Sequence, residues 1–516
     1  MKKNLKPLKL TLFLLLLASL FALSLAACAS QQPVVFPSPF LPAANTAEPT
    51  STLVPTPTST EIPPPPVVEV WLTLPDESKK LFREPDLQFL PGAAGENKPI
   101  ELDMTAQYQK MEGFGASMTD SSAWLIMNAL DETQRTQLMQ NLFTRQEEGI
   151  GLSYVRIPMG ASDFAFEDYS YDDMPPGEVD PDLQHFSIDH DKAYIIPALK
   201  LSAQLNPQLR FMGSPWSAPG WMKDSGSMDG GELLPEYYQA FANYHVRFVQ
   251  DYAAEGVTID SITPQNEPMY STSNYPTKSI PASGQVVLVR DFIGPAFEQA
   301  GLKTRIVVFD HNWDLVDYPL EVLADSQVQA YVDGAAFHCY AGNALSQTRV
   351  HATYPNENIW FTECSGGRWA PRFSENLNYF LRTVMIGNFN NWGNSVMLWN
   401  LALDEKDGPQ NGGCTNCRGV VTIDQSTGEV AYNVEYYTLG HFSKFVDPGA
   451  VRIGSSPGVN RLPVNVAFIN PDGSIVLVAH ADRTGTFDVS WNDMHFTYTL
   501  PERAAVTFKW QGPAQP

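Results

Sequence analysis

Positive charge is scarce in this sequence compared with negative charge. It holds 33 Lys and Arg against 57 Asp and Glu in 516 residues, so its formal net charge is −24. A protein that binds nucleic acid needs a basic stripe facing the phosphate backbone. The acidic composition therefore argues against nucleic acid as a partner, whereas it places no restriction on a neutral substrate.

Cysteine is also rare, with five residues in the chain. Cys414 and Cys417 form a Cys-x-x-Cys, but a structural zinc site needs a second pair of ligands at fixed spacing, and the sequence offers none. Outside the cytoplasm a small disulfide loop is the better interpretation. We therefore expect no metal site and treat Cys414 and Cys417 as candidates for a disulfide.

Long apolar runs are missing except near the N-terminus. Four lysines precede residues 10–25, an apolar run that is short for a membrane span. The run ends in Leu25-Ala26-Ala27-Cys28, which resembles a bacterial lipobox. Residues 1–28 are predicted to be a lipoprotein signal peptide, with lipid attached to Cys28 after cleavage. An ordinary signal peptide with a chance cysteine is the alternative. Both predict an extracytoplasmic protein, and a lipid anchor would be its only link to a membrane.

Residues 29–68 differ in composition from the rest of the chain. They contain 11 prolines among Ser, Thr, Ala and Gln. Such a segment cannot pack a core and favours extended chain. We predict a disordered tether that holds a folded body away from a membrane.

Short apolar runs alternate with amphipathic helical patterns over residues 102–440. Aromatic side chains spaced by three and four in residues 235–255, for example, predict a helix that packs on a sheet. Eight strand-helix repeats are typical of an α/β fold, the (β/α)₈ barrel. The predicted strands are 111–116, 152–157, 209–213, 259–263, 305–309, 335–338, 359–362 and 395–401.

The pattern changes near residue 441. Strand-like runs at 464–469, 475–480, 486–491, 496–500 and 505–510 follow one another with turns between them and no helix. This predicts an antiparallel β-sandwich over residues 441–512. Residues 69–101 also favour strand and are expected to join that sandwich.

Two glutamates end predicted barrel strands. Glu267 follows the fourth strand and Glu363 closes the seventh. The carboxyl ends of parallel barrel strands meet on one face, so these side chains are expected to lie together. A carboxylate pair is what glycoside hydrolysis requires, one group as acid and the other as nucleophile or base. This chemistry needs no cofactor.

Three further residues are expected to serve this pair. Asn266 directly precedes Glu267, where its amide can donate to a sugar 2-hydroxyl. Arg156 ends the second strand; we count it among the substrate-binding residues and also expect it to pair with Glu363 and keep the pKa of that glutamate low. Tyr340, just past the sixth strand, is expected to donate to Glu363.

These residues lie in motifs that resemble glycoside hydrolase family 30 over about residues 69–512. The motifs, besides the two glutamate runs, are Gly-Phe-Gly-Ala-Ser-Met-Thr-Asp (113–120), Arg-Ile-Pro-Met-Gly-Ala-Ser-Asp-Phe (156–164), Ser-Pro-Trp-Ser-Ala-Pro-Gly-Trp-Met-Lys (214–223) and Leu-Gly-His-Phe-Ser-Lys-Phe (439–445). That family of retaining barrel enzymes includes glucosylceramidases, endo-β-1,6-glucanases and xylan-cleaving enzymes. The resemblance implies a carbohydrate substrate, with Glu267 as acid/base and Glu363 as nucleophile.

The resemblance also implies contacts to the sugar in subsite −1. Asp163 matches a carboxylate that holds sugar hydroxyls, and Trp216 matches a tryptophan that walls the same sugar. Trp399 would form the floor of that subsite, and His338 would stand beside Glu363 at the end of the sixth strand. The alternatives are a loop cap for Asp163 and core packing for Trp216, His338 and Trp399.

One position separates branches of the family. Glucosylceramidases resembling this chain carry His-Trp-Tyr where it has His338-Cys339-Tyr340. Together with Thr362-Glu363-Cys364 this resembles the β-1,6-glucanase branch and favours a β-glucan. Glucosylceramidase-like or broad β-glucosidase activity stays open. A non-catalytic carbohydrate-binding surface lipoprotein also stays open, although idle barrels usually lose one carboxylate and this chain has both.

Cys339 and Cys364 follow strands that are neighbours in such a barrel. Adjacent strands lie about 4.8 Å apart, which falls within the Cα separation of a disulfide. The pair is either bonded or two small buried side chains that fill space behind the carboxylates.

Overall fold

The computed structural model describes residues 65–512, apart from residue 96 and residues 459–461. The predicted signal peptide, with its lipid-modified Cys28, lies outside the described residues, and so does the predicted tether up to residue 64. Within the described part, no helix combines the length and the apolar character needed to cross a membrane.

Eight parallel strands form the barrel, at the places where the apolar runs predict them. Consecutive strands pair from the first to the seventh, and the eighth pairs with the first. The backbone N–H of Asn394 donates to Ile359 O at 2.8 Å, which brings the eighth strand beside the seventh and closes the barrel. In chain order the strands are Gly113–Ser117, Tyr154–Pro158, Arg210–Ser214, Ser261–Ile262, Arg305–Asn312, Val332–His338, Asn358–Glu363 and Ser395–Asn400.

The barrel interior is a packed apolar core. Its side chains come from six strands and form one cluster with no water-exposed member: Tyr154, Met212, Val307, Ala336, Trp360 and Met397. Tyr154 and Trp360 meet edge to face with ring centroids 5.7 Å apart. The interior is thus filled beneath the carboxyl ends of the strands, and the polar side chains gather above it.

Helices surround the barrel. The aromatic stripe predicted over residues 235–255 lies on the helix Tyr238–Ala254, where Phe241, Tyr244, Phe248 and Tyr252 are fully buried. The other α-helices are Asp120–Trp124, Glu132–Phe143, Asp189–Lys192, Ile195–Leu205, Ala282–Val287, Gly294–Gln299, Asp317–Leu323, Ser326–Gln329, Leu345–Thr353, Phe373–Tyr379, Asn388–Asn390 and Val434–Ser443. Segments of π-helix cover Leu125–Ala129, Leu288–Ile293 and Phe380–Gly387, and 3₁₀ turns cover Gly220–Met222, Pro235–Tyr237 and Trp313–Leu315.

Ten strands build the second sheet, and the sheet draws on both ends of the described chain. In spatial order they are Phe82–Gln88, Val67–Thr73, Ala505–Gln511, Ser474–His480, Val464–Ile469, Val451–Ser455, Pro99–Lys110, Gly485–Trp491, Met494–Leu500 and Leu90–Pro91. Small strands elsewhere are Gly366–Gly367 with Cys417–Arg418, and Ala402–Asp404 with Val421–Ile423 and Val430–Tyr432. Apolar side chains from both halves of the ten-stranded sheet form one buried cluster.

Three predicted segment limits are wrong, and so is one strand direction. Strand Pro99–Lys110 pairs with Val451–Ser455, so residues 102–110 belong to the sandwich and not to the barrel. The helix Val434–Ser443 runs across the predicted limit at residue 441 because its side chains are buried on both sides of that point. The tether ends before residue 68, since Val68 is fully buried in the sandwich. Pro99–Lys110 also runs parallel to Gly485–Trp491, whereas we expected antiparallel pairing throughout.

His441 joins the sandwich to the barrel. It lies in the 439–445 motif on the last helix and is fully buried. Its Nδ1 is 2.8 Å from Thr507 Oγ1 and its Nε2 is 2.8 Å from Thr73 Oγ1, on two strands of the sandwich. This part of the motif is therefore structural, and it fixes the sandwich against the barrel far along the chain from the carboxylates.

Candidate active site

Glu267 and Glu363 lie together at the carboxyl ends of the strands. A carboxylate oxygen of each lies within 4.8 Å of the other. They line a cavity of about 540 Å³ that also contacts Asp163, Trp216 and Trp399. The separation is close to the roughly 5–5.5 Å found in retaining glycosidases and leaves no room for the water that an inverting enzyme holds between its carboxylates.

Two donors fix the carboxylate of Glu363. Arg156 Nη1 donates to Oε2 at 2.5 Å, and the Tyr340 hydroxyl donates to Oε1 at 2.9 Å. The sequence-based expectations for Arg156 and Tyr340 therefore agree with the observed contacts. The Tyr340 ring is partly exposed at the cavity while its hydroxyl is directed at Glu363. Both oxygens of Glu363 thus face hydrogen-bond donors.

Glu267 is held by a histidine and by its own backbone. His338 Nδ1 lies 3.0 Å from Glu267 Oε1, and His311 Nε2 lies 3.8 Å from Oε2. The backbone of Glu267 has a φ of 44°, and its N–H donates to Asp310 O at 3.0 Å. Positive φ is strained for a glutamate, and such residues cluster at functional sites. The strain is tolerated here because the fifth strand holds the peptide.

Asp310 is the residue that sequence reasoning missed. It is fully buried at the end of the fifth strand. Its carboxylate accepts from Arg156 Nη2 at 2.8 Å and from the Ser214, Thr263 and Thr362 hydroxyls, and it lies 2.9 Å from His338 Nε2. The sequence did contain a signal for it, because Asp310 is a carboxylate one residue past the predicted strand 305–309. Asp310 organises the site from below, since it holds both Arg156 and His338.

The pKa values follow from these contacts. Burial opposes the charge of His338, but Glu363 and Asp310 outweigh it and raise its pKa to about 9. Burial likewise opposes ionisation of Glu267, yet the hydrogen bond and charge of His338 hold its pKa below the ordinary value. Burial raises the pKa of Glu363, with the charge of Glu267 adding to it and His338 and Arg156 opposing it. A proton therefore resides on His338 between Glu267 and Asp310.

The raised pKa of Glu363 disagrees with the ionised form that its contacts require. Arg156 can only donate, and it occupies Oε2. Tyr340 donates to Oε1. A proton on Oε2 would face the Arg156 guanidinium, which has no acceptor, so the hydrogen-bond geometry favours the carboxylate.

The cavity floor is aromatic. Trp216 and Trp399 stack with centroids 4.7 Å apart, and the Arg156 guanidinium lies 4.7 Å from the Trp216 ring centre. Asn266 Oδ1 accepts from Arg156 Nη2 at 2.7 Å, which leaves the amide N–H groups for the cavity that Asn266 lines. Burial and the charges of Glu363 and Glu267 raise the pKa of Asp163 well above its usual range. An acidic side chain, an amide and two indole rings thus line the cavity where a sugar would lie.

Two residues that we grouped with sugar contacts have other contacts. Arg156 and His338 are fully buried and do not line the cavity. Their polar atoms contact Glu363, Glu267 and Asp310. Both therefore position the carboxylates, because those charges attract them more strongly than a neutral hydroxyl does.

Both cysteine pairs are bonded. Cys414 and Cys417 form a disulfide whose loop lines the cavity. Cys339 and Cys364 are also bonded, with Cα atoms 5.3 Å apart, so the alternative of two free buried thiols is wrong. This second bridge ties the residue after His338 to the residue after Glu363.

Glu267, His338 and Glu363 have the atom types of a metal site. The contacts of Glu363 and His338 favour acid-base chemistry over metal binding. Arg156 and Tyr340 already donate to Glu363, and a ring that lies between two carboxylates as a doubly protonated imidazolium has no lone pair for a metal.

The chain matches two family profiles. The glycosyl hydrolase family 30 TIM-barrel domain matches residues 111–446, and the family's β-sandwich domain matches residues 449–508. The chain belongs to glycosyl hydrolase family 30. Membership confirms the resemblance and the fold class, and it makes this protein a retaining glycosidase. The sandwich match also agrees with a domain limit after the helix Val434–Ser443.

Similar proteins in the family include both endo-1,6-β-glucanases and a putative glucosylceramidase. The endo-1,6-β-D-glucanase neg1 of Aspergillus fumigatus is 34% identical over 432 residues, which are 79% of this chain and 83% of the relative. The putative glucosylceramidase 4 of Caenorhabditis elegans is 31% identical over 418 residues, 77% of this chain and 79% of the relative. The solved endo-β1,6-glucanase BT3312 superposes with a TM-score of 0.79 and 32% identity, covering 86% of this chain and 99% of that structure.

Proposed function

We propose that this glycosidase hydrolyses β-1,6-linked glucan by double displacement. The observation that carries the proposal is the close pair Glu267 and Glu363, with donors on both oxygens of Glu363 and a histidine on Glu267. The glucanase relatives support the substrate, and so does the His338-Cys339-Tyr340 run.

In the first step Glu363 attacks the anomeric carbon and the bond to the leaving oxygen breaks. Glu267 gives that oxygen a proton, which it takes from His338 Nδ1 over a 3.0 Å contact. His338 is left neutral and keeps its Nε2–H on Asp310. Because His338 holds a proton that Glu267 can take up, Glu267 can serve as the acid although its own resting pKa is low.

In the second step Glu267 accepts a proton from water as the water attacks the glycosyl-enzyme, and it returns this proton to His338 Nδ1. The bond between the anomeric carbon and Glu363 breaks, and Glu363 leaves as a carboxylate beside Arg156 and Tyr340. Two inversions give net retention.

The remaining residues would bind the sugar in subsite −1. Asn266 donates to the 2-hydroxyl, and Asp163 accepts from other hydroxyls of the same sugar. Trp216 and Trp399 provide the apolar wall against which the ring lies. These contacts strengthen as positive charge develops at the anomeric carbon.

Product analysis tests the proposal. The purified enzyme is incubated with the β-1,6-glucan pustulan, laminarin, cellobiose, gentiobiose and a glucosylceramide. We expect pustulan and gentiobiose to be cleaved fastest, and proton NMR should show the β anomer first. An α anomer first would overturn Glu363 as the nucleophile. Preference for glucosylceramide would assign the glucosylceramidase activity that the nematode relative is named for.

We also propose that the mature protein is an extracytoplasmic lipoprotein anchored at Cys28. The support is the lysine-rich start, the apolar run and Leu25-Ala26-Ala27-Cys28. The full chain and a Cys28→Ser variant are expressed in a bacterial host and partitioned in detergent. The full chain is expected in the detergent phase and the variant in the aqueous phase, while equal partition would contradict the anchor.

A further inference from the structure

Trp369 is an exposed tryptophan at the rim of the catalytic cavity. It is 55% exposed and lines the same cavity as Glu267 and Glu363. Asp163, Trp216 and Trp399, which line the same cavity, are buried. Ligand cavities are lined largely by hydrophobic and aromatic side chains, so an exposed ring in this lining is available to a ligand.

The ring is held in place by its neighbours. A Cβ on Gly367 would lie 2.0 Å from the Trp369 ring, so the indole covers a bare stretch of backbone that only glycine permits. Gly367 pairs with Cys417, whose disulfide to Cys414 lines the cavity. Arg368 N donates to Asn416 O at 2.9 Å. Trp369 therefore stands on a short two-stranded sheet, and little side-chain freedom remains to be lost on binding.

Another exposed ring of the cavity lining lies beside the acid. Tyr270 is 43% exposed, lines the cavity and donates its backbone N–H to Glu267 O at 2.8 Å. In a glucan, the sugar whose oxygen Glu267 protonates continues into solvent, so it must pass the exposed part of this lining, to which Trp369 and Tyr270 belong.

We infer that Trp369 is the stacking platform of subsite +1 and binds the pyranose ring of the leaving glucosyl unit. The inference rests on the proposed hydrolysis of β-glucosides. The less polar face of a pyranose packs on an indole, and the contact contributes to binding only when the leaving group carries a ring. Trp369 would thus select glucan over substrates with small leaving groups.

The test compares two substrates that differ only beyond subsite −1. Gentiobiose places a glucosyl ring in subsite +1, whereas β-glucosyl fluoride places a single atom there. For Trp369→Ala we expect kcat/KM on gentiobiose to fall about tenfold, the size of one aromatic contact. The value on the fluoride should stay unchanged. Trp369→Phe should recover part of the loss, and Phe82→Ala, which removes an equally exposed ring (52%) in the sandwich, should change neither value.

A second measurement isolates binding in subsite +1. The enzyme is trapped as its 2-deoxy-2-fluoroglucosyl ester, and gentiobiose is added as a glycosyl acceptor. Reactivation should be slower in Trp369→Ala than in wild type. Equal losses on gentiobiose and the fluoride, or unchanged reactivation, would overturn the platform. If Trp369→Ala instead lost kcat/KM on gentiobiosyl fluoride but not on glucosyl fluoride, Trp369 would contact a sugar in subsite −2. That result would also overturn the platform in subsite +1. A wild-type enzyme that cleaves none of these glucosides would instead overturn the proposed function.

Discussion

Two buried histidines mark two different regions of this molecule. His338 lies at the catalytic end of the barrel between Glu267 and Asp310, and His441 lies between barrel and sandwich with Thr73 and Thr507. Both are fully buried, and both ring nitrogens of each are engaged. The pKa of His338 is raised to about 9, whereas burial lowers that of His441 to about 3, with His480 adding to the effect.

The difference shows that the partners of a buried histidine decide its charge. Hydroxyls solvate a neutral ring, and carboxylates stabilise an imidazolium against the same desolvation. At the catalytic end, the arrangement keeps a proton next to Glu267. At the interface, it keeps charge out of a region whose task is to hold two domains together.

Removal of Glu363 should have the largest effect on the catalytic region. Glu363→Ala is expected to lose about 10⁴-fold or more in kcat, because no nucleophile remains. Azide should restore turnover of an activated aryl β-glucoside and give the α-glucosyl azide, which NMR identifies. The matched control is Glu357→Ala, next to the other end of the same strand, which should keep full activity. A β-azide would mean that the roles of the two glutamates are reversed.

Exchange of the two histidines for glutamine should separate chemistry from stability. His338→Gln is expected to lose about 10²-fold or more in kcat/KM, because Glu267 loses its proton reserve. The alkaline limb of the pH–rate profile of His338→Gln should also move. Loss of a merely structural residue would not move it. His441→Gln should keep kcat/KM and lose roughly 1–3 kcal/mol of unfolding free energy. Chemical denaturation measures the unfolding free energy and pH–rate profiles measure kcat/KM. A loss of activity in His441→Gln together with a loss of stability alone in His338→Gln would contradict the comparison.

The same histidines should give stability opposite slopes with pH. From about pH 3 to 6.5 the unfolded chain binds a proton at His441 and the folded chain does not, so His441 makes stability rise with pH. From about pH 6.5 to 9 only the folded chain keeps the proton on His338, so its contribution is lost as pH rises. Each slope is at most about 1.4 kcal/mol per pH unit.

Unfolding by urea at several pH values checks this. Subtraction of the His441→Gln profile from wild type should leave a slope only on the acid side. Subtraction of the His338→Gln profile should leave one only on the alkaline side. If the two subtracted profiles had pH slopes of the same sign, the charge states assigned to these histidines would be wrong.

The sequence predicted the strands well because their signal is local. Each barrel strand is a short apolar run, and residues such as Val307 and Trp360 are buried whatever the partner strand is. Glu267 and Glu363 could be paired for the same reason, since parallel strand ends meet at one face. The limit at residue 102 failed because Pro99–Lys110 alternates like any strand, and nothing in that alternation says which sheet it joins.

By itself, the sequence determined the alternation of strands and helices, the two carboxylates and the family. Only the tertiary structure decided that Asp310 holds both Arg156 and His338, that Cys339 bonds Cys364, and that Trp369 rests on Gly367 beside Cys417. The physical reason is distance along the chain. Burial and backbone preference act on neighbouring residues and leave a periodic pattern, whereas contacts between remote side chains depend on register and direction, which no local pattern records.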